Sequence, residues 1–312
     1  MRTEEITVTA DDGTPLHVYH WSSDTPSTPR AVVHIAHGMA EHAARYARLA
    51  EALVAAGYEV YANDHRGHGK TARTEADLGF FAASNGWRRV VDDLWLHIRT
   101  ARERHAGVPV VLIGHSMGSF ISQQVIIEHG DALAAAVLSG SNGKPPAIAA
   151  AGRVVARIER MRLGAHGRSK LLNALSFDDY NKAFRPNRTK FDWLSRDQAE
   201  VDKYVADPLC GFMVCTQLWV DLLDVLGDIA SPAKQARISP TLPVYIVAGS
   251  EDPVGAQTRG LEQLRGAYAA AGLTRVAHRY YPGGRHEIFN ETNRDEVTRD
   301  LIAWLDGALP KA

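Results

Sequence analysis

Val110-Val111-Leu112-Ile113-Gly114-His115-Ser116-Met117-Gly118 is the stretch that decides the fold. Four apolar residues, three of them β-branched, follow Pro109 and read as a buried strand. From Ser119 to His129 the pattern becomes helical. Between strand and helix lies G-x-S-x-G. That spacing suits a sharp turn in which the serine takes a strained backbone conformation and lifts its hydroxyl clear of the sheet. Small residues at 114 and 118 let strand and helix approach closely. Ser116 is therefore a candidate nucleophile.

The surroundings extend the same pattern. Upstream, Ile6 to Thr9 and Leu16 to Trp21 alternate around Asp11-Asp12-Gly13, a hairpin with one solvated face. Strands are expected at Ala31 to Ala36 and Tyr58 to Ala62. Helices are expected at Ala43 to Ala56, closed by Gly57, and at Asn85 to His105. Downstream come strands at Ala135 to Leu138, Val244 to Ala248 and Val276 to Tyr281, with helices at Gln257 to Ala271 and Glu296 to Leu309. Strand–helix alternation of this kind predicts an α/β fold, a mostly parallel sheet covered on both faces. It stops between Lys144 and Ser239, where helices are expected at Ile148 to Met161, Arg168 to Leu175 and Phe212 to Leu226. The simplest division is a core over 1–143, a helical cap over 144–239 and a second core part over 240–312.

A serine hydroxyl needs a base, and the base needs an orienting carboxylate. Asp252 lies just past the strand Val244 to Ala248, where parallel sheets place active groups. Its neighbour Glu251 points elsewhere. His286 follows the last strand in Tyr281-Pro282-Gly283-Gly284-Arg285-His286-Glu287, after the acid in chain order. His278 falls inside a strand pattern and ranks below it. Two backbone N–H groups should face a developing oxyanion: that of Met117, after the serine, and that of Met39, in His37-Gly38-Met39-Ala40.

Taken together, His37 to Tyr46, Asp64-His65-Arg66-Gly67-His68-Gly69, Gly114 to Gly118, Gly249 to Val254 and Gly283 to Glu287 resemble the α/β-hydrolases. More narrowly they resemble the monoacylglycerol lipase and bacterial lysophospholipase branch. The resemblance covers nearly the full chain. It implies about eight strands under a helical cap, no cofactor and no metal. It also implies a narrow pocket for one acyl chain, with Glu41 and Arg45 toward the alcohol end. Where such lipases often carry a second histidine, this chain has Phe289. The implied function is cleavage of small-molecule acyl esters, such as monoacylglycerol or lysophospholipid. Amide hydrolysis uses the same triad; Asp178, Asp179, Asp192 and Asp197 are cap carboxylates that could meet a substrate amine. A small-substrate esterase and a catalytically silent binding protein are the remaining readings.

Composition removes other classes. The chain has 312 residues, 45% hydrophobic, and a formal charge of −1. That balance speaks against a nucleic-acid partner. The amino terminus carries no apolar run of signal-peptide length, and no stretch reaches the ~18 apolar residues of a membrane span. A soluble, cytoplasmic protein is expected. Cys210 and Cys215 have neither disulfide-framework nor metal-site spacing and read as small core residues, on different faces of a helix. Gly69-Lys70-Thr71 lacks the upstream glycine of a phosphate loop, since Asp64 stands there. His34, His37, His42, His65 and His68 lack consistent ligand spacing. Pro145 to Leu163 reads as a basic amphipathic cap helix over the pocket, able also to touch a membrane surface transiently.

Overall fold

The computed structural model describes residues 1–25, 27–145 and 148–310. Two residues of the Pro145 to Leu163 segment, Pro146 and Ala147, lie outside them. The chain opens with strands β1 (Arg2–Thr9) and β2 (Pro15–Ser22), paired antiparallel from Arg2↔Ser22 to Thr9↔Pro15. β3 (Val32–Ala36), α1 (Ala47–Ala55), β4 (Glu59–Asn63), α2 (Gly86–Arg104), β5 (Val110–His115), α3 (Met117–His129) and β6 (Ala135–Ser139) follow. Six helices then precede the next strand: α4 (Ile148–Leu163), α5 (Lys170–Ala174), α6 (Phe177–Lys182), α7 (Gln198–Ala206), α8 (Thr216–Ile229) and α9 (Pro232–Gln235). The chain closes with β7 (Val244–Gly249), α10 (Arg259–Ala270), β8 (Val276–Tyr281) and α11 (Arg294–Ala308).

One eight-stranded sheet results, in the order β1-β2-β4-β3-β5-β6-β7-β8. Only the β1–β2 and β2–β4 pairs are antiparallel. Alternate residues of the inner strands feed two cores. Leu112, Ala136, Leu138 and Ile246 pack with Val91, Leu94 and Ile98 of α2, Ile121 and Val125 of α3, and Leu261 and Leu264 of α10. Val111, Ile113, Val137 and Val247 pack on the other face with Leu49 and Leu53 of α1 and Leu301 and Leu305 of α11. Burial on both faces is why these strands read as continuous apolar runs. Truncating one such leucine to alanine costs about 2–5 kcal/mol. At the edge, β1 alternates exposed and half-buried residues, as its polar alternation predicts.

Several boundaries differ from expectation. The Ala43 to Ala56 helix begins as a 3-10 turn over Ala43–Tyr46, and Gly57 closes it at φ +89°. The Phe212 to Leu226 helix starts only at Thr216, because Cys215 is in extended backbone paired with Arg168. Neither cysteine lies within a helix: Cys210 sits in the turn after α7 and Cys215 caps α8. Both are free and buried. The α10 helix starts at Arg259 because Ala256, Gln257 and Thr258 all have positive φ. Helices α6, α7 and α9 have no counterpart in the sequence reading; they are short and amphipathic only over a turn or two.

Candidate active site

Ser116 sits between the end of β5 and the first residue of α3 with φ 52° and ψ −119°, a region that costs a non-glycine residue free energy. The conformation is over-determined. The Ser116 N–H donates to Ser139 O (2.9 Å), and Ser119 Oγ donates to Ser116 O (2.6 Å). A Cβ on Gly118 would run into the carbonyls of Ala36 and His37, and one on Gly114 would meet Gly118 O at 2.5 Å. Glycine at both positions is thus a packing requirement of the turn.

The loop after β3 approaches the serine from one side. A Cβ on Gly38 would stand 3.2 Å from Ser116 Cβ. His37 shapes this loop. Its Nε2 accepts the His65 N–H (2.9 Å), so the network assigns the ring proton to Nδ1, which donates to Gly38 O (2.7 Å). The Gly38 N–H donates to Glu41 Oε1 (2.6 Å), and Ala40 turns at φ 55°. The carbonyl of Ala40 accepts from Gly211 N (2.9 Å) and Tyr204 Oη (2.8 Å), tying the loop to the segment around α7. Among the described residues, the Met39 N–H has no protein acceptor. Met117 is the first residue of α3, so its N–H has no partner within the helix.

The Asp64 to Gly69 motif braces this loop from behind. Asp64 Oδ1 accepts the Ala43 N–H (2.8 Å) and Oδ2 the Lys70 N–H (2.7 Å). A Cβ on Gly69 would collide with the Asp64 carboxyl group. His34, His37, His65 and His68 are wholly buried, and burial holds their pKa values down, to about 4 for His34 and His68. They are neutral core groups.

Asp252 and His286 come from the loops after β7 and β8. His286 Nδ1 donates to Asp252 Oδ1 (2.9 Å), which also accepts the Val254 N–H (2.9 Å). Both side chains are buried. Burial alone would lower the His286 pKa. The Asp252 charge and hydrogen bond, with Glu287 and Glu41 adding to them, outweigh it and raise the value above 6.5. His115 lies beside it, ring centroids 4.7 Å apart, and is kept neutral by burial, its pKa pushed down to about 4. The rivals lie elsewhere: Glu251 and His278 are exposed.

Ser116, His286, Met39 and Glu41 line one cavity of about 190 Å³, walled mainly by Phe177, Phe191, Trp193, Leu194, Phe212 and Met213. Of the four cap aspartates, Asp178 lines it. Asp179 pairs with Lys182, Asp192 accepts from the backbone of Arg188 and Thr189, and Asp197 caps α7 and pairs with Arg294. Phe289 packs into the core beside α1 and α11.

Glu41 lines the cavity and Arg45 does not, and neither stands free. Arg45 Nη1 donates to Glu41 Oε2 (2.5 Å) and Glu287 Oε1 (2.6 Å), and Nη2 donates to Glu287 Oε2 (2.7 Å). Glu287 is a site residue that the sequence reading quoted only as the end of a motif. Its signal was its place directly after His286. Trp193 and Tyr204 were missed altogether, since nothing in a loop or short helix marks which face meets the cavity. His42, Asp207 and Cys210 also place one ligand atom each within 4.8 Å of one another, with His42 Nε2 bonded to Asp207 Oδ2 at 2.8 Å.

A serine on a strained strand-to-helix turn, with an Asp–His pair from the last two strand ends, defines an α/β-hydrolase. Residues 27–293 match the family described as serine aminopeptidase, S33, and the chain belongs to that family. It is 29% identical over 290 residues to a monoacylglycerol lipase of Mycolicibacterium smegmatis, covering 91% of this chain and 90% of the relative. It is 29% identical over 302 residues to a monoglyceride lipase of Mus musculus, covering 90% and 86%. Among solved structures, a thermostable carboxyl esterase from Bacillus coagulans in complex with glycerol superposes with a TM-score of 0.90 at 25% identity, over 99% of each chain.

Proposed function

We propose that the protein is a serine hydrolase cleaving carboxylic esters with a single acyl chain, monoacylglycerol and lysophospholipid among them. The observation that carries this is the buried His286–Asp252 pair opening onto the same cavity as the strained Ser116. Ser116 Oγ attacks the ester carbonyl as His286 takes its proton. Asp252 orients the ring and stabilises the imidazolium. The Met39 and Met117 N–H groups hold the oxyanion. His286 returns the proton to the leaving alcohol, and water, activated by the same histidine, then releases the acid from Ser116.

Residues 144–239 act as the cap. Their aromatic side chains form the acyl wall, and the alcohol faces Glu41 and Glu287, which Arg45 joins from behind. A cavity of about 190 Å³ is little larger than the ~150 Å³ apolar void that holds benzene. It accepts a short acyl chain as it stands, so a long chain requires the cap to move. On the outer side, Val154, Ile158 and Met161 of α4 are 55%, 50% and 76% exposed, with Leu171 and Leu175 of α5 nearby in sequence. Arg157 and Arg162 accompany them, ion-paired with Asp224 and Glu159, so it is the apolar patch that suits transient contact with a lipid surface. Cosedimentation with anionic vesicles should weaken in an Ile158→Ser/Met161→Ser variant; unchanged binding would remove that role. No helix among the described residues is long and apolar enough to cross a membrane.

Among the described residues, the amide reading keeps Asp178, which accepts from Asn173 Nδ2 (3.2 Å) and has no ion pair, as the cap carboxylate at the cavity. A chain-length series of p-nitrophenyl esters, beside monoacylglycerol, lysophosphatidylcholine and amino-acid amides, tests the choice. Turnover of esters with no amide cleavage is expected. Cleavage of amides faster than esters would overturn it.

A further inference from the structure

The group around Arg45 is unusual in its charge. One guanidinium, its side chain 11% exposed, serves two carboxylates that are 4% and 6% exposed. The cluster therefore keeps a net negative charge at the cavity wall. Burial favours the neutral acids, but the Arg45 charge and the hydrogen bonds to it hold both Glu41 and Glu287 below their usual range. A lone buried pair would be balanced; the second carboxylate has to do something else to be worth its desolvation.

Its geometry shows what that is. Glu41 Oε1 accepts the Gly38 N–H (2.6 Å) and the Tyr46 hydroxyl (2.9 Å), which fixes the turn that presents the Met39 N–H. Glu287 follows His286 directly. Arg45 thus links the turn beside the serine to the residue beside the base, across 242 positions of sequence. The backbone of the base loop is held separately. His286 N donates to Trp193 O (3.4 Å), Glu287 N donates to Leu194 O (2.7 Å), and Ser195 Oγ donates to Asn290 O (2.9 Å).

We propose that Glu287 is a positioning residue for this reaction: through Arg45 and Glu41 it keeps the Met39 turn aligned with His286, and the net negative charge of the Glu41–Arg45–Glu287 cluster stabilises the imidazolium formed when Ser116 is deprotonated. This rests on the ester-hydrolase reading above. In consequence Arg45 acts as the bridge between two carboxylates and not as a group lining the cavity.

The charged and titratable groups facing His286 are few. Asp252 comes from the loop after β7, His115 from the end of β5, and Glu41 and Arg45 from the segment after β3. From residues 144–239 the uncharged Trp193 ring packs 4.9 Å away, and Asp178 and Lys190 line the same cavity. Arg285 turns away toward Asp192 O and Ser195 O. Asp252, Glu287 and Glu41 add negative charge, and each raises the His286 pKa.

Glu287→Gln is the test. It leaves Arg45 and Glu41 as a balanced pair and keeps the backbone bonds to the cap, so it should fold. Expected with p-nitrophenyl butyrate are a kcat about tenfold lower, equal to about 1.4 kcal/mol, an acid limb of kcat moved to lower pH, and little change in KM. Glu287→Asp, which restores the charge, should return the limb toward the wild-type position. An unmoved limb in Glu287→Gln with kcat intact, or a change confined to KM, would overturn the proposal. Fluorophosphonate labelling of the wild type separates the two questions: absence of labelling and turnover there sinks the hydrolase reading itself.

Discussion

His286 Nδ1 and Asp252 Oδ1 stand 2.9 Å apart, and both side chains are closed to solvent. The second carboxylate oxygen, Oδ2, is buried without a hydrogen-bond partner among the described residues. The ring and the Val254 N–H are what the carboxylate holds, and the ring orientation depends on it. In Asp252→Asn the amide fits the same space but carries no charge and can favour the wrong tautomer. The expected kcat loss is about 10⁴-fold, with the fold intact by circular dichroism. If His286 is the base, it works unprotonated and its pKa is raised, so the acid limb of the wild-type rate profile should lie above pH 6.5. In the variant that limb moves down. Near wild-type kcat in Asp252→Asn would remove Asp252 from the site.

Stability should respond to acid in the opposite sense to this one histidine. His34, His37, His65 and His97 are wholly buried, and burial depresses all four, to about 4 for His34. The unfolded chain takes protons on them near pH 6.5, whereas the folded chain refuses them until well below. Their contribution is therefore present above pH 6.5 and is lost as the pH falls toward 4. His286, with a raised value, contributes below pH 6.5 and loses that contribution as pH rises through its folded pKa. These four, with His68 and His115 depressed in the same way to about 4, outweigh one, so the melting temperature should fall steadily from pH 7 to pH 5. A flat profile over that window would contradict the neutral assignment.

Arg66 illustrates a motif residue whose work is structural. Its Nη2 donates to Asp93 Oδ1 (2.9 Å) and Asp12 Oδ1 (3.0 Å), and its Nη1 to Asp12 Oδ2 (2.8 Å). The Arg66 and Asp93 side chains are 7% and 4% exposed. Arg66→Ala strands a buried carboxylate and should cost about 3–5 kcal/mol in urea unfolding. At a temperature where it remains folded, kcat should change little, since Arg66 does not touch the cavity. A loss below about 1 kcal/mol would mean the pair is solvated.

The sheet was legible because its inner strands are buried on both faces, which writes continuous apolar runs such as Val110 to Ile113. Of the proposed triad, Ser116 and Asp252 were in view because each follows one of those buried strands, and His286 because it follows the last strand, the half-exposed edge strand β8. Boundaries failed where local geometry overrode periodicity: three positive-φ residues delay α10, and the Arg168–Cys215 bridge delays α8. The cap was the least readable part. Its helices α6, α7 and α9 have 6, 9 and 4 residues. Their inward side chains, Phe177 and Tyr204, belong to patterns too short to show a period. Glu287 was in view but had no visible partner, because Arg45 lies far away in sequence and only the fold brings the two together.

The most direct measurement is fluorophosphonate labelling of the intact protein, with the modified peptide located by mass spectrometry, beside ester turnover by Ser116→Ala. The triad assignment predicts one adduct, on Ser116, blocked by prior incubation with an ester substrate, and a kcat in Ser116→Ala lower by several orders of magnitude. An adduct on another residue, or near wild-type turnover in Ser116→Ala, would contradict it.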